Sequence, residues 1–367
     1  MLIAHVIDSL EVGGAETVVL ALCRSHVLAG HRVEVHCLIA TGPLAAELEQ
    51  EGIPVYAHAS PGVWMAAWKL FRAFRRSHPD VVHCHNKTAT ICAAASARLA
   101  GVRAIVSTRH GMGPLPFRLR PELKFWITAA LLCDRVVAVC DAARRNLVNG
   151  VPPVAHKVVT IPNGADLPAV GATTIARTPG FTLVSVGRLV PAKDFETLLR
   201  AVSLARPAVP DLRLWIVGDG DDAPFLRQLS ADLDLESVVR FCGERRDPGA
   251  WLRAADAFVL SSTTEGLPIS MLEAMASGLP AIVTEVGALP ELVALSGAGA
   301  TVPVGNAALL ARAIVEFANR RHELRFLDRF LNGFHGALDI DHDAFAQSSR
   351  GTRSDADHVQ AASVRNL

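Results

Sequence analysis

The chain has 367 residues, half of them hydrophobic, which is long enough for two domains that each bury a core. Lysine plus arginine and aspartate plus glutamate both number 36, and this balance argues against a nucleic-acid-binding protein, which usually carries a basic excess. The seven cysteines include no C-x-x-C pair, so we expect free thiols in a reducing compartment and no disulfide framework. We recognise no signal peptide and no transmembrane run, and we expect a cytoplasmic protein.

In the first half of the chain, short runs rich in β-branched residues alternate with alanine- and leucine-rich segments. Strands are predicted at 2–8, 32–39, 80–85, 103–108, 135–140 and 157–162. Helical stretches such as 15–30 and 88–101 lie between them. This alternation predicts βαβ units built around a parallel sheet that is buried on both faces.

A Gly-, Pro-, Ala- and Thr-rich stretch at 163–180 interrupts this rhythm and is interpreted as a hinge. A second series of strands is predicted at 181–187, 212–220, 238–243, 256–262 and 280–284. We therefore divide the chain into domains at 1–167 and 168–332, followed by a polar tail at 333–367 that is predicted to be disordered. Two doubly wound parallel sheets of this kind place ligands at the carboxyl ends of their strands, and the cleft between the domains is the expected site.

The stretch "TTEGLPISMLEAMASGLPAIVT", residues 263–284, carries two glutamates, Glu265 and Glu273. It reads as a loop after a buried strand, then a helix with Pro268 in its first turn and a glycine stop at its end. Backbone amides near Gly266 and Leu267 then face a positive helix end that suits a phosphate. The two carboxylates are interpreted as ligands for sugar hydroxyls, against the alternative of an ordinary loop glutamate and a solvated helix glutamate.

Two further strand-to-helix junctions carry candidate phosphate contacts. Arg188 and Lys193 follow a predicted strand, where two cations can neutralise a leaving diphosphate; the alternative is a pair of surface cations. Gly13 and Gly14 follow the first strand, and their backbone amides can approach a phosphate or sugar closely. The pair does not match the dinucleotide fingerprint G-x-G-x-x-G, and as a lone Gly-Gly it is a weak signal.

Three histidines, His83, His85 and His110, fall near strand ends in the first domain. A single histidine is usually a structural residue, but three at neighbouring strand ends indicate a site. The acidic pair in Asp219–Asp221 sits in a glycine turn and is interpreted as structural. We therefore predict no metal site and no cofactor.

Taken together, the motifs resemble glycosyltransferase family 4, which has the GT-B fold of two doubly wound, Rossmann-like domains facing an interdomain cleft. The segments that carry the resemblance are "VGGAE", "VVHCHN", "RHG", "IPNGAD", "VGRLVPAKDFETLL", "VGDG" and "EGLPISMLEAMASGLPAIVTEVGALPELV". They follow the family's order and spacing over about residues 1–320, and Glu265 and Glu273 match its E-x7-E motif. The polar tail departs from the family, whose members usually end in a helix that crosses back onto the first domain.

The resemblance implies a retaining, metal-independent transfer of a sugar from a UDP- or GDP-linked donor to a glycan or lipid-linked acceptor. The donor-binding residues that it implies are Arg188 and Lys193 on the diphosphate, Gly13, Gly14, Gly266 and Leu267 as further contacts, and Glu273 on the ribose. Glu265 and His110 are implied to act at the transferred sugar, as the catalytic residues, and His85 to shape the acceptor side. In the family a phosphate oxygen of the leaving group takes the acceptor's proton.

The segment 62–80 is amphipathic at helical spacing, with Trp64 and Trp68 on one stripe and several arginines nearby. Such a helix can lie on an anionic bilayer, and the basic, aromatic loop 114–126 adds to the same surface. Contact with the inner membrane surface would suit a lipid-linked acceptor. The simpler alternative is a helix that packs on the sheet with its arginines in solvent.

Two other functions stay open at this point. The first is an isomerase of the same two-domain type, such as a nucleotide-sugar 2-epimerase, which should lack the E-x7-E helix together with the arginine–lysine pair. The second is a non-catalytic protein that binds sugar nucleotides, for which the unusual tail is the support. The sequence does not name the base, the sugar or the acceptor.

Overall fold

The computed structural model describes residues 1–60, 62–112, 120–150, 152–164 and 175–321. The chain divides into two compact units, of which the first ends its described main segment at Gly164 and the second is described from residue 175. The predicted boundary at 167/168, most of the predicted hinge and the polar tail at 333–367 lie outside the described residues. No helix in the described part is long and apolar enough to cross a bilayer.

Unit 1 is a seven-stranded parallel sheet with helices between its strands. Its strands are β1 (Leu2–Ser9), β2 (Arg32–Ala40), β3 (Val55–Ala57), β4 (Val81–His85), β5 (Ala104–Arg109), β6 (Arg135–Ala138) and β7 (Val158–Thr160). Its helices are α1 (Gly14–Leu28), α2 (Ala45–Gln50), α3 (Val63–Ser77), α4 (Asn86–Ala100), α5 (Arg120–Leu132) and α6 (Asp141–Gly150), with a 3₁₀ turn at Pro152–Lys157.

The strands of unit 1 are ordered β3-β2-β1-β4-β5-β6-β7, and every pair is parallel. From β1 the next strands, β2 and β3, are added towards one edge of the sheet, whereas from β4 they are added towards the other edge. The direction in which successive strands are added therefore reverses between β1 and β4. In open α/β sheets, ligands bind outside the carboxyl ends of the strands at such a reversal.

Strand β4, with the sequence VVHCH, is buried at all five positions. This is the pattern of a central parallel strand that has packing on both faces. Val81 joins Ile3 and Val106 in one core cluster of the sheet. The same packing draws His83 and His85 into the interior, so their solvation must be replaced by hydrogen bonds inside the protein.

Unit 2 repeats the plan with six parallel strands. They are β8 (Phe181–Val186), β9 (Leu212–Val217), β10 (Val239–Gly243), β11 (Ala257–Leu260), β12 (Ala281–Thr284) and β13 (Gly299–Val302). The helices are α7 (Phe195–Ala205), α8 (Ala223–Asp232), α9 (Pro248–Ala254), α10 (Ile269–Ala276), α11 (Leu289–Ser296) and α12 (Ala307–Asn319), with a 3₁₀ turn at Pro191–Lys193.

The order β10-β9-β8-β11-β12-β13 places the reversal of unit 2 between β8 and β11. The core combines buried residues of β8 and β9 with the apolar faces of α7 and α12, for example Leu198, Ile314 and Phe317. Two of these helices begin at a side-chain cap: Asp194 accepts from the Thr197 amide, and Asn306 accepts from the Leu309 amide.

The sequence-based strands are confirmed within a few residues at each end. Two strands were missed. β3 has only three residues, all of them partly or largely exposed, and β13 begins with glycine and has one buried position. Neither carries the apolar run or the alternation on which strand prediction depends.

The loop after β9 approaches the loop after β8 so closely that only glycine fits. Gly218 has φ of +145°, and a Cβ there would lie 2.0 Å from the carbonyl oxygen of Gly187. Its amide donates to the carbonyl of Gly243 at 2.8 Å. Backbone contacts of this kind fix the shape of the carboxyl edge of the sheet.

We expect Gly218→Ala to destabilise unit 2 by about 3 kcal/mol or more, because it adds a clash with backbone to a strained φ. Gly243→Ala is the matched control, because Gly243 also has a positive φ, of +71°, but has nothing within 4 Å of the added carbon. It should cost about 1 kcal/mol. Urea unfolding of both variants measures the difference, and equal losses would contradict the contact.

Candidate functional site

The carboxyl edge of unit 2 brings Lys193 and Glu265 together at the reversal between β8 and β11. Lys193 Nζ lies 2.5 Å from Glu265 Oε1, and the Ser262 hydroxyl donates to the same oxygen at 2.6 Å. The two charged side chains are only 20% and 10% exposed. The sequence assigned Lys193 and Glu265 to different parts of a ligand, and the structure pairs them directly.

Backbone contacts hold the loops that carry this pair. The amide of Thr263 donates to the carbonyl of Ala192, and the Ser261 hydroxyl donates to the carbonyl of Lys193. On the other side, the Ala288 amide donates to the carbonyl of Gly266. The loop after β11 is thus fixed to the loops after β8 and β12, and the position of Glu265 does not depend on its own side chain alone.

Helix α10 follows this loop and places Glu273 in its second turn. Pro268 is the N-cap residue, with φ −70° and ψ 129°, and the helix begins at Ile269. The expectation that Pro268 lies in the first helical turn was therefore off by one residue, because its extended ψ keeps it outside the helix. Gly266 and Leu267 are buried immediately before the cap.

Glu273 is a mostly buried carboxyl group, and burial raises its pKa to about 7. The cause is the loss of water around the charged form. Near neutral pH the group is then present in both forms, so it can accept from a hydroxyl or donate to one. This suits a ligand that offers several hydroxyls.

Arg188 lies in the loop between β8 and the 3₁₀ turn and is exposed. The amide of the next residue, Leu189, donates to the carbonyl of Asp219 at 2.9 Å. The loops after β8 and β9 are therefore joined directly behind Arg188. Lys193 closes the same 3₁₀ turn, and its side chain runs past Gly187, where a Cβ would lie 3.5 Å from its Cε.

In unit 1 the strand, Gly-Gly loop and helix predicted at the N-terminus are present. Gly13 is the N-cap of α1, Gly14 is its first residue, and the Gly13 carbonyl accepts from both the amide and the hydroxyl of Thr17. Glu16 in the first turn adds a negative charge where an anion would bind. The feature alone does not distinguish a phosphate from a neutral sugar.

His85 and His110 meet at the carboxyl edge of unit 1. His85 is the last residue of β4, and its Nδ1 lies 3.1 Å from Nε2 of His110. The His110 amide donates to Oδ1 of Asn86, which has a left-handed φ of 68°. His83 lies deeper, with its Nε2 2.7 Å from the Thr108 hydroxyl.

The sequence did not single out Ser262, Asn86, His5 or His26. Ser262 contacts Glu265, and Asn86 contacts the backbone of His110. His5 lies in an apolar strand, and His26 is a buried residue of α1. Both histidines could have been identified from the sequence as polar residues at positions where the surrounding pattern predicts apolar ones.

Two family models match this chain. The model described as "Glycosyltransferase Family 4" matches residues 12–168, and the one described as "Glycosyl transferases group 1" matches residues 180–320. The two matched segments correspond to the two parallel-sheet units and include the candidate residues of both.

Among curated proteins, a UDP-Gal:alpha-D-GlcNAc-diphosphoundecaprenol alpha-1,3-galactosyltransferase of Escherichia coli is 30% identical over 59% of this chain and 60% of its own length. The lipopolysaccharide core biosynthesis glycosyltransferase LpsE of Rhizobium meliloti is 36% identical over 36% of this chain and 38% of its own length. The chain thus spans less than two thirds of either relative.

Among solved structures, HepE of Anabaena in complex with UDP-glucose superposes with a TM-score of 0.79 at 22% identity, over 95% of this chain and 100% of that one. At this identity the likeness concerns the fold. The predicted fold class, GT-B with two parallel-sheet α/β domains, is confirmed.

Because the pKa of Glu273 is raised from 4.5 to about 7, its contribution to stability has a defined sign. The stabilising proton is fully bound below about pH 4.5, and the stabilisation is lost as the pH rises through 7. Glu273→Gln, which stays neutral, should therefore be more stable than the parent protein at pH 8, by up to about 3 kcal/mol, and similar to it at pH 4.

Denaturant unfolding across this pH range measures the effect. Glu196→Gln is the control, because that half-exposed glutamate pairs with Arg200 one helical turn away. Parallel pH profiles for the parent and the Glu273 variant would contradict a buried, neutral Glu273.

Proposed function

The chain belongs to glycosyltransferase family 4, and from this we propose that it transfers a sugar from a nucleotide-diphosphate sugar to a glycan or lipid-linked acceptor. The observation that carries the proposal is the Lys193–Glu265–Ser262 group at the topological reversal of unit 2. Such reversals are where open α/β sheets bind ligands. The group combines a cation for a phosphate with a carboxylate for hydroxyls.

The ion pair of Lys193 and Glu265 leaves hydrogen-bonding positions open to a nucleotide-sugar donor. An ammonium group has three protons, and a carboxylate has two oxygens with about four acceptor positions. Only Oε1 of Glu265 is used by Lys193 and Ser262 in these contacts. We propose that a diphosphate takes remaining protons of Lys193 while a sugar hydroxyl donates to Glu265, so that the ion pair holds both ligand groups at a fixed separation.

We propose that the reaction retains the configuration of the sugar and needs no metal ion. As the bond between the sugar and the phosphate breaks, negative charge grows on the diphosphate and is met by Arg188 and Lys193. The acceptor hydroxyl then bonds to the anomeric carbon from the face that the leaving group vacates. Its proton goes to a phosphate oxygen of the leaving group.

The remaining candidate residues have supporting roles in this proposal. Glu273, which can accept and donate near neutral pH, is assigned to the ribose hydroxyls. The Gly266–Leu267 backbone and the Gly13–Gly14 loop are assigned to the diphosphate and sugar. His110 is assigned to the transferred sugar, and His85 to the acceptor side.

UDP-linked sugars are the first donors to test. HepE, which shares the fold, was solved with UDP-glucose, and the galactosyltransferase relative is named for UDP-Gal. The names of the two curated relatives refer to a diphosphoundecaprenol and to the lipopolysaccharide core, which supports a lipid-linked or surface-glycan acceptor. GDP-linked sugars are the alternative donors.

We expect UDP-glucose or UDP-galactose to raise the unfolding midpoint of the protein, with or without EDTA. A ligand at one hundred times its dissociation constant stabilises the folded state by about 2.7 kcal/mol. Arg188→Ala and Glu273→Ala should weaken this binding about tenfold or more, as measured by calorimetric titration. Arg213→Ala is a control that changes an arginine near the opposite end of β9.

The outcomes separate the competing functions. Binding that EDTA abolishes would contradict metal independence, and no binding of any UDP- or GDP-linked sugar by a cooperatively melting protein would contradict the donor site. Conversion of the nucleotide sugar to an epimer, without transfer, would favour the isomerase. Binding without any turnover across acceptor lipids would favour the non-catalytic alternative.

Helix α3 supports a further part of the proposal, peripheral contact with the inner face of the membrane. The helix packs through Ala66, Leu70 and Phe74, while Trp64 is 89% exposed and Trp68 is 55% exposed. Its other exposed residues include Lys69, Arg72, Arg75 and Arg76. Exposed tryptophans beside a basic stripe are the composition of a helix that lies on an anionic bilayer.

We expect replacement of Arg72, Arg75 and Arg76 by glutamate to abolish co-sedimentation with vesicles that contain anionic phospholipid. Each basic residue near such a surface contributes about 1 kcal/mol of binding free energy, so three charge reversals should remove several kcal/mol of it. A control triple, Arg32, Arg103 and Arg144 to glutamate, changes the net charge equally at exposed positions of the same unit. Equal binding by both triples would remove α3 from the membrane contact.

A further inference from the structure

Four imidazoles, three of them with no exposed surface, form a continuous hydrogen-bonded chain in unit 1. His26 Nδ1 lies 3.1 Å from His5 Nε2, and His5 Nδ1 lies 2.9 Å from His85 Nε2. His85 Nδ1 then lies 3.1 Å from His110 Nε2. One helix, two strands and the segment after a third strand each contribute a ring, so the chain ties α1 to the carboxyl edge of the sheet.

The strand register brings these rings together. β1 and β4 are parallel neighbours in which His5 is paired with His83. Residues two apart in a strand face the same side, so His85 lies on the face of His83. His5, His26, His83 and His85 are all 0% exposed. A ring without water must find partners inside the protein.

The central contact of the histidine chain, between His5 and His85, has the length of a hydrogen bond. His5, His83 and His85 each place a ring nitrogen within 4.8 Å of the others, an arrangement that is also found around metal ions. Two nitrogens bound to a tetrahedral zinc at 2.0–2.1 Å lie about 3.3 Å apart. The distance of 2.9 Å between His5 Nδ1 and His85 Nε2 is shorter than this and matches a hydrogen bond.

The pairing of nitrogens restricts the tautomers of the whole chain. A neutral imidazole carries one proton, so each ring donates through one nitrogen and accepts at the other. Every bond of the chain joins a Nδ1 to a Nε2. If one ring carries its proton on Nε2, all four must do so, and the same holds for Nδ1.

The end of the chain at His110 decides between these two states. Its Nδ1 is shielded from solvent and has no hydrogen-bond partner among the described residues. Protons on Nδ1 would leave a buried N–H without an acceptor, which is rarer in proteins than an under-used acceptor. The structure therefore favours a proton on Nε2 in all four rings and a lone pair on Nδ1 of His110.

The surroundings keep His5, His85 and His110 neutral. Burial lowers the pKa of His5 and His85 well below 6.5 and that of His110 to about 4. Neighbouring histidines act in the same direction: His26 and His83 on His5, and these two with His5 and His110 on His85. His83 is itself held neutral by burial, by His26 and by His110.

We propose that His26, His5 and His85 are positioning residues that hold His110 as a neutral hydrogen-bond acceptor, and that a ligand hydroxyl reaches its Nδ1 lone pair when binding displaces the groups that cover this nitrogen. The ligand part rests on the proposed function, because a transferred sugar supplies such hydroxyls. The tautomer part concerns the free protein alone. The chain acts on the transferred sugar through His110, the ring at its end.

Long-range ¹H–¹⁵N spectra of protein labelled with ¹⁵N-histidine test the tautomer part at pH 7. Assignment by single substitutions should show Nε2 protonated and Nδ1 bare in His5, His26, His85 and His110. A mixture of tautomers among the four rings would overturn the chain. Protons on Nδ1 in all four would overturn the acceptor role of His110.

Breaking the histidine chain tests the coupling between the tautomers of its rings. His5→Phe removes one of the two central rings, and His110 should then populate both tautomers. His58→Phe is the matched control, because it removes a 2.8 Å bond between two buried histidines, His36 and His58, elsewhere in the same unit. An unchanged His110 in a folded His5→Phe protein would contradict the coupling. If this variant does not fold, the parent spectrum still decides the tautomer part.

Adding UDP and UDP-glucose in turn tests the ligand part. UDP-glucose should shift the Nδ1 resonance of His110, and UDP, which lacks the sugar, should not. Calorimetric titration of the same samples separates the two proposals. Tight binding of UDP-glucose without a shift at His110 contradicts the present inference, whereas failure of any nucleotide sugar to bind contradicts the proposed function.

Discussion

The reversal of strand order inside each parallel sheet is the constraint on which both candidate sites depend. Between β8 and β11 it makes neighbours of the loops that carry Lys193 and Glu265, so that the two side chains meet. Between β1 and β4 it does the same for the ends that carry the Gly-Gly loop and His85. Parallel pairing puts all carboxyl ends at one edge, so residues far apart in sequence become neighbours without any dedicated binding element.

The same packing sets the chemistry of the site residues through desolvation. A central strand buried on both faces tolerates a titratable side chain only if it is neutral or paired. Glu273 and the histidines of β1 and β4 are driven towards their neutral forms, whereas Lys193 and Glu265 form an ion pair. Removing one member of such a buried pair typically costs about 3–5 kcal/mol, so loss of either side chain also threatens the loops around it.

The sequence was sufficient for the fold class and for most strands, because apolar β-branched runs and strand-to-helix glycine turns are local signals. It also identified Glu265, Glu273 and Lys193 as candidates, because each lies in the loop or helix that follows a predicted strand. It could not show that Lys193 and Glu265 bond to each other, since 71 residues separate them and only the β8–β11 pairing makes them adjacent. The histidine chain was missed for the same reason. His5 can be recognised as a member of it only once the strand register that pairs His5 with His83 is known.

The two units therefore offer different kinds of interaction, each at its own carboxyl edge. Unit 2 presents charges that are paired yet partly accessible, which is what a diphosphate with growing negative charge requires. The histidines of unit 1 are neutral and directional, which suits uncharged hydroxyls and avoids burying a charge in the centre of a sheet. Placing the cations in unit 2 and the neutral rings in unit 1 lets each sheet keep a well-packed core, because no unpaired charge has to be accommodated at the end of β4.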